Sequence, residues 1–171
     1  SPTSPEASAV SFTVDGRSVS VPDDGASLLE ALRDRLGLRG PKDGCSPQGQ
    51  CGCCTVLVDG AARVACVTPV RRVEGRDVTT VDGLDPQVAS AWSEALCATG
   101  GSQCGFCTPG IVVRLASLRD RGAPVADHAP VARALQAHLC RCTGWQTVLE
   151  AWDALDAPAA EAPRDLEAAS R

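Results

Sequence analysis

The chain predicts an α+β fold in two parts, a β-rich domain containing one helix and then a four-helix domain. Three observations carry that prediction. Apolar residues repeat with period two up to about residue 84 and with period 3.6 from about residue 86. Ten cysteines gather in a few glycine-containing stretches. Aromatic residues make up only 3% of the 171 residues, so each part has a thin core. Small domains of that kind are commonly held together by disulfides or metals.

Each element has its own signal. Residues 1–8 are rich in Ser and Pro and are expected to be disordered. In the first domain, 9–84, Val10, Phe12 and Val14 alternate, Asp15-Gly16 supplies a turn, and Val19 and Val21 follow, which predicts a hairpin. Ser27 and Glu30 form a capping-box pattern for a helix with Leu28, Leu29, Leu32 and Leu36 on one face. The loop GPKDGCSPQGQCGCC has no period. TVLVDG and ARVACV then read as two strands, and VTTVDGL at 78–84 as the last. In the second domain, 85–156, helices are predicted at 86–98, 109–120, 127–138 and 146–155. Pro109 fits a first helical turn, and Asp127 and Thr143 fit N-caps. The tail 157–171, biased to Ala, Pro and Glu, is expected to be flexible.

Composition narrows the function. A net charge of −5 argues against nucleic-acid binding and is compatible with docking onto a basic partner. No apolar run reaches the roughly 18–20 residues of a membrane span, and SPTSPEASA lacks the pattern of a signal peptide. A cytoplasmic protein is expected, and in that compartment structural disulfides are rare. Ten cysteines therefore point to metal.

The first four fall as Cys45-x5-Cys51-x2-Cys54-x11-Cys66. Plant-type ferredoxins hold a [2Fe–2S] cluster with C-x4-C-x2-C and a distant fourth cysteine, one residue shorter in the first gap. Gly44, Gly49 and Gly52 allow a loop to curl tightly and turn its N–H groups toward sulfur. Cys53 leaves the ligand choice open, because it can displace Cys51 or Cys54. The second set is Cys104-x2-Cys107 and Cys140-x-Cys142, each pair placed near a helix N-terminus whose dipole suits anionic thiolates. A Cys-x-Cys pair is unusual for zinc, where gaps of two to four residues are typical.

The strings GCSPQGQCGCCTV, QCGFCTPG and LCRCTGW resemble the iron–sulfur subunit of the molybdenum hydroxylases, the family of xanthine dehydrogenase, aldehyde oxidoreductase and aerobic carbon monoxide dehydrogenase. The resemblance covers about residues 9–155. It implies a plant-type ferredoxin-like β-grasp domain followed by a four-helix bundle, with one [2Fe–2S] cluster in each. Cys45, Cys51, Cys54 and Cys66 would hold the first cluster, and Cys104, Cys107, Cys140 and Cys142 the second. The resemblance further implies a large partner subunit with a molybdenum–pterin cofactor, as a cytosine dinucleotide, and a medium partner with FAD, assembled as a dimer of heterotrimers. Electrons would pass from molybdenum through the bundle cluster and then the β-grasp cluster to FAD. Gln103 and Cys142 would lie beside the pterin. The sequence departs from the family in its five-residue first gap and in having Cys53 where Ala is usual. It also has Ala137-His138 in place of Gly-Asn, and Trp145 in place of Tyr.

Competing readings are a free-standing ferredoxin-like carrier and a structural zinc adaptor. Cys97 reads as a core residue, His128 and His138 as solvated or structural histidines, and Arg141 as either a tuning charge or an interface ion pair.

Overall fold

The computed structural model of the chain describes residues 8–155. The readings of 1–7 and of the tail from 157 therefore lie outside the described residues. The first half is a five-stranded mixed sheet in the order β2-β1-β5-β3-β4. Strands β1 (Ala9–Val14) and β2 (Arg17–Pro22) form the expected hairpin, with Val14 paired to Arg17 around the Asp15-Gly16 turn. Both turn residues have positive φ, the geometry that fits the twist of a hairpin. Strands β3 (Thr55–Val58) and β4 (Ala61–Val64) pair antiparallel, and β5 (Asp77–Thr79) lies between β1 and β3, parallel to β1.

Helix α1 (Leu28–Glu30) opens with the predicted capping box: the Ser27 hydroxyl accepts from Glu30 N–H and the Glu30 carboxylate accepts from Ser27 N–H. It continues as a π-helical turn over Ala31–Arg35, closed by Leu36 N–H bonding to the Ala31 carbonyl. Leu28, Leu29 and Leu32 are buried against Val10, Phe12, Val56 and Val78, and Cys54 and Cys66 belong to the same core. This is the β-grasp arrangement of a plant-type ferredoxin.

The last strand is shorter than its sequence implies. Residues 81–83 form a tight helical turn, because Asp15 accepts from both the N–H and the hydroxyl of Thr80 at 2.7 Å and bends the chain out of the sheet.

The second half packs α2 (Pro86–Thr99), α3 (Thr108–Asp120), α4 (Ala129–Ala134) and α5 (Gln146–Ala154). Asp85 caps α2, accepting from Gln87 N–H at 2.8 Å, and Gly100 ends it in the left-handed conformation. Trp92 on α2 and Trp152 on α5 are fully buried with ring centroids 6.3 Å apart, so two of the few aromatics fill one core. Arg119 stacks over Trp152 at 4.8 Å.

Three local expectations change. Cys97 is exposed, because the buried stripe of α2 is Trp92, Ala95 and Leu96, and position 97 lies off it. Helix α4 is shorter than 127–138: beyond Ala134 the chain tightens into i→i+3 turns that direct His138 inward. Thr143 is not a cap, and its hydroxyl instead lies 3.1 Å from Cys140 Sγ.

Helix α3 joins the two halves. It packs on β3 and β4, and Ser117 on it donates to the Gly60 carbonyl of the β3–β4 turn at 3.1 Å.

Candidate metal centres

The loop between α1 and β3 carries Cys45, Cys51, Cys53 and Cys54. Cys66 sits in a helical turn (Ala65–Val67) just after β4, not within a strand, and its N–H donates toward Cys54 Sγ at 3.4 Å. Four thiols form a chain of neighbours: Cys45 interacts with Cys51 and Cys66, and Cys66 with Cys54. Burial opposes ionisation of Cys45, but the N–H groups of Gln50, Gln48 and Cys51 outweigh it and bring the thiol down to about 6. The Gln48 N–H is 3.2 Å from that sulfur. Burial pushes Cys54 up to about 12 and raises Cys66. Gly44 leaves room for this packing, since a Cβ there would fall 2.9 Å from Cys51 Sγ and 3.3 Å from Cys53 Sγ.

Cys53 shares its surroundings with Cys51: both pack in the core of the helical half and line one cleft, and the Cys53 thiol donates to the Cys51 carbonyl at 3.7 Å, near Cys107. Burial, then the neighbouring Cys51, pushes it up to about 12.

In the helical half, Cys107 is the residue that opens α3, and Cys104 precedes it across Gly105. Cys140 and Cys142 lie in the loop before α5, four or more residues from its first turn, so only the first pair sits directly at a helix end. The thiols meet as Cys104 with Cys142 and Cys107 with Cys140. The N–H of Phe106, then Cys142, lowers Cys104; burial, then Cys140, pushes Cys107 up to about 12. Burial opposes ionisation of Cys140, but the Thr143 hydroxyl and backbone outweigh it and bring it down to about 7. Gln103 donates its side-chain amide to the Cys142 carbonyl at 3.4 Å, so these two exposed residues are brought together.

The two sets are adjacent. A cleft of about 510 Å³ is lined by Cys51 and Cys53 from one loop and by Cys104, Cys107 and Cys140 from the other side. Leu139 N–H, one residue before Cys140, donates to the Cys51 carbonyl at 3.0 Å. Arg141 is exposed on the rim of this cleft.

His128 pairs with Asp153 at 2.7 Å, far from any cysteine in sequence. His138 is buried, and it is the residue whose part in the site sequence reasoning missed. The available signal was its departure from the usual Asn before the LCRC string. Burial, then the charge of Arg114, lowers His138 to about 4, so it is neutral near pH 7.

The donor set suits soft, thiophilic iron. Among the described residues, no three His, Cys, Asp or Glu side chains converge as one metal ion requires. The first set is a chain of four neighbouring thiols and the second two neighbouring pairs, and each offers the four thiolates that a [2Fe–2S] cluster would take.

Comparison with known proteins agrees with this geometry. Residues 12–80 match the family described as a 2Fe-2S iron-sulfur cluster binding domain, and residues 80–153 match the [2Fe-2S] binding domain family. The chain is 38% identical to the isoquinoline 1-oxidoreductase subunit alpha of Brevundimonas diminuta, over 81% of this chain and 91% of that protein. It is 39% identical to the nicotine 6-hydroxylase small subunit of Paenarthrobacter nicotinovorans, over 87% and 88%. Aldehyde oxidoreductase of Megalodesulfovibrio gigas is 41% identical over 75% of this chain, which spans only 14% of that protein's length. For xanthine dehydrogenase of Blastobotrys adeninivorans the corresponding share is 11%. Among solved structures, quinoline 2-oxidoreductase from Pseudomonas putida 86 matches with a TM-score of 0.77 and 35% identity, covering 86% of this chain and 93% of that one. Two cluster-binding domains in this order, matching separate small subunits over about nine-tenths of their length, lead to one conclusion: the chain belongs to the iron–sulfur subunits of the molybdenum hydroxylase and xanthine dehydrogenase family.

Proposed function

We propose that this chain carries electrons from a molybdenum–pterin site on a large partner subunit, through the bundle site and then the β-grasp site, to FAD on a medium partner subunit in the cytoplasm. One observation supports it above the others: two four-thiol sites adjoin, linked by the hydrogen bond from Leu139 N–H to the Cys51 carbonyl. Cys45, Cys51, Cys54 and Cys66 would hold the first [2Fe–2S] cluster, and Cys104, Cys107, Cys140 and Cys142 the second. Each cluster, when bound, supplies a one-electron redox centre. The chain's own residues separate the two sites, direct N–H groups at sulfur and keep water from the buried thiols. The placement of Cys54 beside Cys66 and of Cys51 beside Cys45 supports Cys51 and Cys54 as the ligands.

Exposure supports this order of sites. Cys104, Cys142 and Gln103 lie open at the bundle site with Phe106 and Trp145 exposed nearby, a surface that suits a large partner's pterin. Val67, 56% exposed beside Cys66, offers the β-grasp site a separate apolar contact for the flavin-bearing partner. Purification of the native complex tests the reading. Iron and inorganic sulfide in equal amounts, two distinct EPR signals after reduction, and copurifying molybdenum and flavin subunits are expected. Zinc without sulfide would refute it, and iron without partners would favour a free-standing carrier.

A further inference from the structure

The link between the two sites is held by a residue that belongs to neither. His138 is 6% exposed, although Ala137 and Leu139 on either side of it are exposed. Its ring lies against Gly52, in the middle of the first cysteine loop: a Cβ built on Gly52 would fall 2.4 Å from His138 Cδ2 and 2.7 Å from Nε2. Nε2 is 3.4 Å from the hydroxyl of Thr55, which itself donates to the Gly52 carbonyl at 2.7 Å. Gly110 on α3 packs against the same peptide, where an added Cβ would fall 2.1 Å from the Gly52 oxygen. The Gly52 peptide is thus held against His138 and Gly110, both from the helical half. Among the described residues, Nδ1 of His138 is buried without a hydrogen-bond partner. Buried polar atoms are rarely left so, and hydrogen bonding alone therefore does not account for this ring.

We propose that His138 is a positioning residue for electron transfer between the two sites: by clamping Gly52 it holds the Leu139–Cys51 hydrogen bond, and with it the separation of the sites. This rests on the proposed function above. Cys51 and Cys140 are separated by little more than that bond and the Leu139 backbone, so a slack clamp lengthens the gap that electrons must cross. A histidine that only filled space would leave this link unchanged when replaced.

The test uses the native complex with His138→Ala, His138→Asn and His138→Gln. Three quantities are read: iron per chain, deuterium exchange over residues 135–143 by mass spectrometry, and the magnetic interaction between reduced clusters by EPR. The alanine variant is expected to keep its iron, to exchange the Leu139 amide about tenfold faster or more as the link opens locally, and to show a weakened interaction. Laser-triggered reduction should show slower transfer between the sites. Asn and Gln, which keep a polar group in the clamp, should restore protection and interaction in part. If His138→Ala fails to assemble, the comparison of Asn, Gln and wild type decides by the same measurements. Unchanged exchange and unchanged magnetic interaction in variants that retain their iron would overturn the proposal, even if they melt earlier. Absence of clusters from the wild-type complex would refute the proposed function instead, and the exchange measurement would still judge the clamp.

Discussion

The two cysteine sites solve one chemical problem with opposite degrees of enclosure. In the β-grasp half, Cys51, Cys54 and Cys66 are buried, and the glycine-containing loop completes the site from within the chain. In the helical half, Cys104 and Cys142 are exposed and only Cys107 is buried. Each site combines a thiol lowered by nearby N–H or hydroxyl groups with one raised by burial: Cys45 at about 6 with Cys54 at about 12, and Cys140 at about 7 with Cys107 at about 12. Enclosure is what differs. The first site is finished by its own fold, whereas the second has a face left for another protein to cover.

The largest expected effects separate the sites by their place in the path. In assembled complexes Cys107→Ser should nearly abolish turnover and leave flavin oxidised while substrate still reduces molybdenum. Cys66→Ser should also nearly abolish turnover, but with the bundle cluster reduced. Rapid mixing with substrate, followed by EPR, reads the difference, and flavin reduced at the normal rate in Cys107→Ser would break the proposed order. Next, Cys51→Ser should lose about half of the iron, one of two clusters held by four cysteines each, whereas Cys53→Ser should lose none. Iron analysis decides, and the reverse result would move the ligand from 51 to 53.

Enclosure itself can be tested with a chelator. In the isolated chain the bundle site should surrender iron faster than the β-grasp site, and assembly into the complex should narrow that gap. Visible absorbance over time measures both rates. Equal rates in the isolated chain would remove exposure as the distinguishing property.

A smaller effect concerns pH. His138 has a folded-state pKa lowered from 6.5 to about 4, so between those values the unfolded chain binds more protons than the folded one. Its neutral form therefore favours the fold above pH 6.5, and that contribution is lost as pH falls toward 4. The loss amounts to on the order of 3 kcal/mol from a shift of that size. Arg114, whose side chain donates to the Ala134 carbonyl, is the charge that reinforces the shift. In denaturant titrations across this range the stability of wild type relative to His138→Asn should fall as acidity rises, because only wild type loses this contribution and acid damage to clusters is common to both. The smallest effect is that of Cys97→Ser on exposed α2, expected within about 0.5 kcal/mol by thermal melting.

What was legible in the sequence was local. The Asp15-Gly16 turn and the Ser27–Glu30 capping box each depend on residues within four positions, and both form as read. The order of sheet half and helical half was legible because period two and period 3.6 differ over long stretches. What was not legible depends on where distant parts meet. Asp15 shortens β5 by bonding Thr80, 65 residues away. His138 is drawn inward by Gly52 and Thr55, and its departure from the usual Asn marks the position without naming those distant partners. Cys97 was misread because two positions of α2, 96 and 97, differ in burial by a rotation that a short apolar run does not reveal.

The seam at Gly52 and Gly110 sets a limit on modularity. A methyl group at Gly110 would occupy the place of a backbone oxygen, so the halves approach as nearly as main chains can. Outer surfaces of either half are open to drift, but these positions admit no side chain without moving a cysteine loop. Exchanging one half for that of a relative is then a matter of matching a joint. Chimeras that carry Gly52, Gly110 and the residue at 138 from the same parent should couple their two centres, and those that split the trio should fold as separate, poorly connected parts.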